Sequence, residues 1–536
     1  MNITSHIHRS LLVAGAALLL GISCGKSDDA PAPDKTAPEK TAPEKPVAPT
    51  EPSDIAPAEG MTLYGLVADT DGNPLEGVVV SDGYTCAATD DRGVYQIKRH
   101  RSSKYAYLSM PSGYEAPGQE GFGSYPLFYK PSKSLTGSNS TPFRVDFTLH
   151  KRAQDDKRFV LVAMGDPQPD NDAHVQRFRN ETIEDSKAEL KRHAGKTIVG
   201  LALGDIIGID NPAAPGERLT KMKSAMGASG IPIYCAIGNH DKDKLDFTGG
   251  TFENIMGPLY FSFNVGDVHF VVLDDLRFYK STVSGYNKGF TVEEVNWLRE
   301  DLKFVPHDKR IIVCYHAPIY NNFDAENARA IFDQLQPYAE PTAMAGHTHT
   351  TRHWVNSYGM REYVLSTACG FFWRTNHSND GIPNGYYVFE FDGTKTVNAY
   401  FKGTNRDRSF QMRLYRGNAT YGGPYARYTY EYTQNEIVAN IFFAADDWTF
   451  RVFEDGTPTD RPLTRIDGHG DYWIWGYTVG VRQQAASATC WHLYKYTLKN
   501  PEAKNIRVEA TDPYGNVYSS DQLIPDDDFS TEAPER

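Results

Sequence analysis

Between Phe159 and Gly403 the chain alternates nearly unbroken apolar runs with amphipathic stretches. The runs Phe159–Met164, Thr197–Leu203, Ile231–Ile237, Val268–Leu273, Ile311–Tyr315 and Met344–Ala345 contain almost no polar residue, the pattern of strands buried on both faces. Thr291 and Glu294 form a capping box for a helix reaching about Lys303, and Ala325–Leu335 reads as another helix. The pattern predicts an α/β core over residues 151–403, with functional loops at the C-terminal ends of its buried strands.

On either side the period changes. From Met61 short strands (Thr62–Ala68, Gly77–Ser81, Val94–Ile97) are punctuated by Asp71-Gly72-Asn73-Pro74 and Asp90-Asp91-Arg92-Gly93, which predicts a small β-sandwich over 61–150. The stretches Asp71–Val78 and Thr89–Tyr95 resemble transthyretin-like, carboxypeptidase-regulatory sandwich domains. After about residue 404 helical periodicity disappears. Runs rich in Tyr, Phe, Thr and Val, such as Ala426–Tyr432, Ile437–Phe443 and Trp473–Val479, predict an all-β domain over 404–525, followed by a polar tail at 526–536.

The N-terminus carries its own signals. Arg9 precedes the apolar run Leu11–Leu20, which is too short to span a bilayer and reads as a signal peptide over 1–23. Gly21-Ile22-Ser23-Cys24 resembles the lipobox of bacterial lipoproteins, so Cys24 is the expected lipidation site. Residues 24–60 are dominated by Pro, Ala, Lys and Glu, and Lys35-Thr36-Ala37-Pro38-Glu39 repeats at once. Such a segment is an extended tether. The chain is expected to be exported and held by lipid in the outer membrane, facing the periplasm or the surface.

Composition narrows the function. The formal charge of −13 over 536 residues gives no nucleic-acid-binding surface, because that needs clustered Lys and Arg. No transmembrane span is expected. Besides Cys24 there remain Cys86, Cys235, Cys314, Cys369 and Cys490, without metal-knot spacing; Cys235 and Cys314 read as core residues. An anionic substrate would need local positive charge, for which bound metal ions are the obvious source.

Five short motifs supply candidate ligands: Gly165-Asp166-Pro167-Gln168, Gly204-Asp205, Gly238-Asn239-His240-Asp241, Tyr315-His316-Ala317-Pro318 and Gly346-His347-Thr348-His349. Each follows an apolar run. Carboxylate, amide oxygen and imidazole are the groups that hard and borderline metal ions require, fixed on a rigid frame.

In this order the motifs resemble the signature of the calcineurin-like metallophosphoesterases, over residues 159–403. The resemblance implies a four-layer β-sandwich flanked by helices, here between the two β-domains. It implies two divalent or trivalent ions (Mn, Fe, Zn or Mg), the first on Asp166, Gln168, Asp205 and His349, the second on Asp205, Asn239, His316 and His347, with Asp205 as bridge. A hydroxide between the ions would be the nucleophile on a phosphate mono- or diester. His240 would serve the leaving oxygen, and Asp241 would either orient His240 or make a plain loop hydrogen bond.

One position departs from the family pattern: Gln168 stands where His is usual, a neutral ligand that leaves metal identity open. Phe372, Trp373 and Arg374 either wall the substrate pocket, with Arg374 on a phosphate, or pack beneath the C-terminal domain. The competing reading is a surface lipoprotein that captures a glycan or protein around an idle core. The retained ligand positions and His240 argue against it.

Overall fold

The computed structural model describes residues 55–131, 141–208, 215–242, 248–279, 285–320, 325–419, 431–482 and 488–524. The leader, Cys24, nearly all of the tether, most of the expected strand Ala426–Tyr432 and the tail lie outside these residues.

Two sheets face each other at the centre. In the first, Arg158–Met164 pairs in parallel with Thr197–Leu203, which pairs in parallel with Ile233–Ala236; on its other side it pairs antiparallel with Gly385–Asp392, which forms a hairpin with Lys395–Gly403. In the second, Val268–Val272, Arg310–Cys314, Ala339–Ala345 and Arg361–Val364 run parallel in that order, with Phe261–Val265 and Arg352–Val355 antiparallel at the two edges.

The period of two along a strand explains the layering. Phe159, Leu161 and Ala163 point between the sheets, whereas Val160, Val162 and Met164 share a second core with Phe178, Leu219 and Met222 from the helical side. Between the sheets Phe159 stacks on Phe391 at 4.5 Å, Tyr234 on Phe263 at 4.0 Å, and Phe263 on Phe270 at 4.6 Å. Helices Val292–Asp301 and Ala328–Leu335 cover the second sheet with Trp297, Leu298, Ile331 and Phe332. The order is helix, sheet, sheet, helix.

The capping box of Thr291 and Glu294 is present. The next expected helix begins later than its sequence suggests: Ala325–Glu326 forms a short strand, and Asn327 at φ 57° turns the chain into the helix at Ala328.

The N-terminal sandwich joins the core through side chains and backbone. Asn264 N–H donates to the Met110 carbonyl at 2.8 Å, and Trp297 Nε1 donates to Ser81 Oγ at 3.2 Å. Asp156 is buried and accepts from Gly113 N–H at 2.6 Å, Thr197 Oγ1 at 2.7 Å and Arg152 Nη1 at 2.8 Å.

The C-terminal domain holds a five-stranded and a four-stranded sheet, and it corrects one expectation. Trp473–Val479 lies within a helix, Tyr472–Arg482, not a strand. Its aromatic and β-branched residues favour strand, but Asp471 Oδ1 accepts from Trp473 N–H at 2.9 Å and the Asp471 carbonyl accepts from Trp475 N–H at 3.0 Å. That local capping, with Trp473 and Ile474 buried, overrides propensity. Among the described residues all five cysteines are free and buried, and no helix is long and apolar enough to cross a membrane.

Candidate metal centre

The turns that follow the central strands of both sheets converge at one end of the molecule. Gly165 continues Arg158–Met164 by a parallel bridge to Thr367, and the next turn is tied to its neighbour where Gln168 N–H donates to the Asp205 carbonyl at 3.0 Å. Two glycines make room for ligands. A Cβ on Gly204, which sits at φ 86°, would fall 2.5 Å from His316 Nδ1, and one on Gly238 would fall 2.2 Å from Asp205 Oδ1.

Backbone strain concentrates here. Asp166, Gln168, Asp205, His347 and His349 all have positive φ, between 37° and 70°. Such conformations cost free energy in non-glycine residues and persist where surrounding structure imposes them.

Asp205 lies at the middle. Its Oδ1 accepts from His240 N–H at 2.8 Å, and its Oδ2 accepts from Gln168 Nε2 at 2.6 Å and lies 3.3 Å from His316 Nε2. Asn239 Oδ1 is 3.0 Å from the same His316 nitrogen, and His347 Nδ1 is 3.1 Å from it. One ligand atom each from Asp205, His316 and His347 lies within 4.8 Å of the others. Asp166 Oδ2 accepts from His347 N–H at 2.9 Å, while Oδ1 lies 3.6 Å from His349 Nε2. All seven expected ligands are therefore gathered in one place.

His316 Nδ1 donates to the Leu203 carbonyl at 2.7 Å, which leaves Nε2 facing the cluster. Burial works against charge on His316, but Asp205 and Asp166 outweigh it and raise its pKa to about 10. Burial and the adjacent His316 push His347 down to about 4. Burial raises Asp205, yet the imidazoles of His316 and His240 overcome it and hold that carboxyl well below its usual range. The cluster calls for positive charge at its centre.

These residues fit a metal. Asp166 Oδ1 is buried without a hydrogen-bond partner among the described residues, a costly arrangement that a bound cation relieves. Gln168 turns its amide nitrogen toward Asp205, so a metal bound through this residue requires the amide reversed.

His240 is half-buried, its Nε2 3.8 Å from Asp205 Oδ2 and its Nδ1 buried without a described partner. Asp241 accepts three backbone N–H groups, from Gly238 at 2.8 Å and from Ile206 and Ile207 at 3.0 Å. Of the two roles left open for Asp241, this geometry supports the loop bond. Burial and the Asp205 charge raise its carboxyl to about 7, against the pull of those donors.

Phe372 lies against the cluster, its ring 4.8 Å from that of His349. Trp373 is packed away: its Nε1 donates to the Pro167 carbonyl at 2.7 Å and Arg177 covers its ring. It braces the first turn. Arg374 is half-buried near His174, whose imidazole is lowered by burial and, in smaller part, by the Arg374 charge.

Three family models match the chain: the N-terminal domain of calcineurin-like phosphoesterase over 61–152, calcineurin-like phosphoesterase over 159–351, and the C-terminal domain of calcineurin-like phosphoesterase over 362–518. The chain belongs to the calcineurin-like phosphoesterases. It is a phosphoesterase enzyme, of a family that uses divalent metal ions to hydrolyse phosphate esters.

Among solved structures the chain resembles a dimetal phosphatase from Danio rerio, with 15% identity, 46% of this chain and 96% of that one covered, and a TM-score of 0.34. It also resembles a purple acid phosphatase from yellow lupin (12% identity, 46% and 53% covered, TM-score 0.29) and a 5'-nucleotidase from Candida albicans (13%, 46% and 51%, 0.30). The chain spans about half the length of these last two. No curated protein matches it by sequence.

Sequence reasoning missed two supports of the metal centre. Asp275 is buried and accepts from His316 N–H at 3.1 Å and Ala317 N–H at 3.0 Å, fixing that turn. Its signal was available, since Asp274-Asp275 ends an apolar run as the ligand motifs do. Tyr286, whose hydroxyl lies 2.9 Å from His347 Nε2, stands in a polar stretch with no such signal.

Proposed function

We propose that this enzyme hydrolyses phosphate mono- or diesters at a dinuclear centre outside the cytoplasm, tethered through Cys24 to the outer membrane. The observation that supports this reading is the gathering of the seven expected ligands: Gln168 Nε2 and His316 Nε2 lie against Asp205 Oδ2, Asn239 and His347 lie against the same His316 nitrogen, and His349 lies beside Asp166. Metal ions held by these residues would supply positive charge toward the phosphoryl oxygens and Lewis acidity toward water.

The chain's own groups do the rest. Asp166 and Asp205 hold the positive charge in a buried place, where its effect on phosphate is undiluted by solvent. His240, at the edge of the cluster, donates a proton to the departing oxygen. Phe372 limits water on the His349 side.

The test is hydrolysis of bis-p-nitrophenyl phosphate and p-nitrophenyl phosphate by protein stripped of metal and reloaded with Mn, Zn, Fe or Mg, with bound metal counted in parallel. Turnover that needs two equivalents of metal and disappears in Asp205→Asn supports the proposal, and the preferred ester separates diesterase from monoesterase. Full activity at one equivalent overturns the dinuclear reading. A wild type that takes up no palmitate label and partitions into the aqueous phase of a detergent just as Cys24→Ala does would overturn the anchor.

A further inference from the structure

A neutral imidazole carries one N–H. For His347 to offer the Nδ1 lone pair to the cluster, that hydrogen must be on Nε2. The atom facing Nε2 is the hydroxyl oxygen of Tyr286, 2.9 Å away, with the rings edge to face at 6.0 Å.

Tyr286 is itself held. Its strand, Tyr286–Gly289, pairs antiparallel with Leu276–Phe278 and in parallel with Ala325–Glu326, forming a small sheet beside the metal centre. Gly289 N–H donates to the Asp275 carbonyl at 2.8 Å and Lys288 Nζ to the Pro318 carbonyl at 2.7 Å. The strand is thus fastened to both loops that position His316. Phe278 packs on the Tyr286 ring at 5.2 Å.

We propose that Tyr286 is a positioning residue for the metal centre: its hydroxyl accepts the Nε2–H of His347, locking the tautomer that presents Nδ1 to a divalent cation. The inference rests on the dinuclear reading above. His316 and His347 then use opposite nitrogens, one fixed by the Leu203 carbonyl and the other by the Tyr286 hydroxyl. Partners of this kind govern ligand orientation and basicity, and losing one weakens metal binding by about 10–100-fold.

The experiment is calorimetric titration of Mn or Zn into stripped full-length protein, for the wild type, Tyr286→Phe and Phe278→Leu, with thermal midpoints and long-range ¹H–¹⁵N imidazole spectra of each. Tyr286→Phe removes the acceptor and keeps the ring. It should weaken one of the two binding events by about 10–100-fold at an unchanged thermal midpoint, and His347 should lose its single Nε2–H pattern. Phe278→Leu, which loosens the same sheet but keeps the hydroxyl, should bind both ions as the wild type does. Wild-type affinity and tautomer in Tyr286→Phe overturn the inference, as does equal weakening in both variants. A wild type that binds a single ion instead overturns the dinuclear reading beneath it.

Discussion

Asp241→Asn separates a structural carboxylate from a chemical one. Asp241 Oδ2 accepts from Gly238 and Ile206, and Oδ1 accepts from Ile207, all within 3.0 Å. Asn keeps shape and volume but has only one acceptor. With its oxygen in the Oδ2 position, its NH₂ group faces the Ile207 N–H, donor against donor. One charge-assisted bond is lost, about 1.5–3 kcal/mol, and a buried N–H is left unpaired, about 1–3 kcal/mol.

Burial already opposes ionisation of Asp241, so a value toward the lower part of that range, about 3 kcal/mol, is expected. For a unit of this size that corresponds to a thermal midpoint lower by roughly 6–12 °C. The carboxylate joins the turn carrying Asp205 to the turn carrying Asn239, so metal affinity should fall with stability. Differential scanning calorimetry and metal titration of the variant check both. If Asp241 served His240 chemically, Asp241→Asn would instead keep its midpoint and metal content while kcat collapsed, and that result would refute the loop role.

Trp373→Phe removes the bond to the Pro167 carbonyl, at about 1–3 kcal/mol. It should reduce metal content while the secondary structure seen by circular dichroism is retained; unchanged metal content would count against Trp373 as a brace. Asp156→Ala leaves Arg152 buried and unpaired, costing about 3–5 kcal/mol. Limited proteolysis should then cut near Arg152, between the N-terminal sandwich and the core, and a cleavage pattern identical to the wild type would contradict this. His377 is held well below the usual imidazole range by burial and by Arg413, whose Nη2 donates to its Nε2 at 3.0 Å. Below about pH 6.5 the unfolded chain takes up a proton that the folded one refuses, so this contribution is present above that pH and lost as pH falls. The thermal midpoint should therefore drop less on acidification in His377→Gln than in the wild type; equal drops would refute it.

The core was legible because strands buried on both faces have no polar side to interrupt them, so Arg158–Met164, Thr197–Leu203 and Arg310–Cys314 stand within a residue of where the apolar runs place them. The ligand turns were legible for a related reason. They need a small residue to admit a neighbouring side chain and then a metal-binding group, and Gly204-Asp205 writes both into the sequence. The helix Tyr472–Arg482 was not legible, because its aromatic residues signal strand and only the Asp471 cap says otherwise.

The supports around the ligands follow a different logic. A metal restricts ligands to a few residue types, so Asp166, Asp205 and His316 announce themselves. What directs each ligand needs only a hydrogen-bonding atom at the right place, and many atoms qualify. For His316 it is the main-chain carbonyl of Leu203, which leaves no trace in a sequence. For His347 it is the hydroxyl of Tyr286, one tyrosine among 32. The two histidines consequently face the centre through different nitrogens, and that difference arises from strand pairing that brings residues 61 and 113 positions apart into contact. Sequence thus specifies which groups could hold a metal, while the fold decides which atom of each group faces the centre.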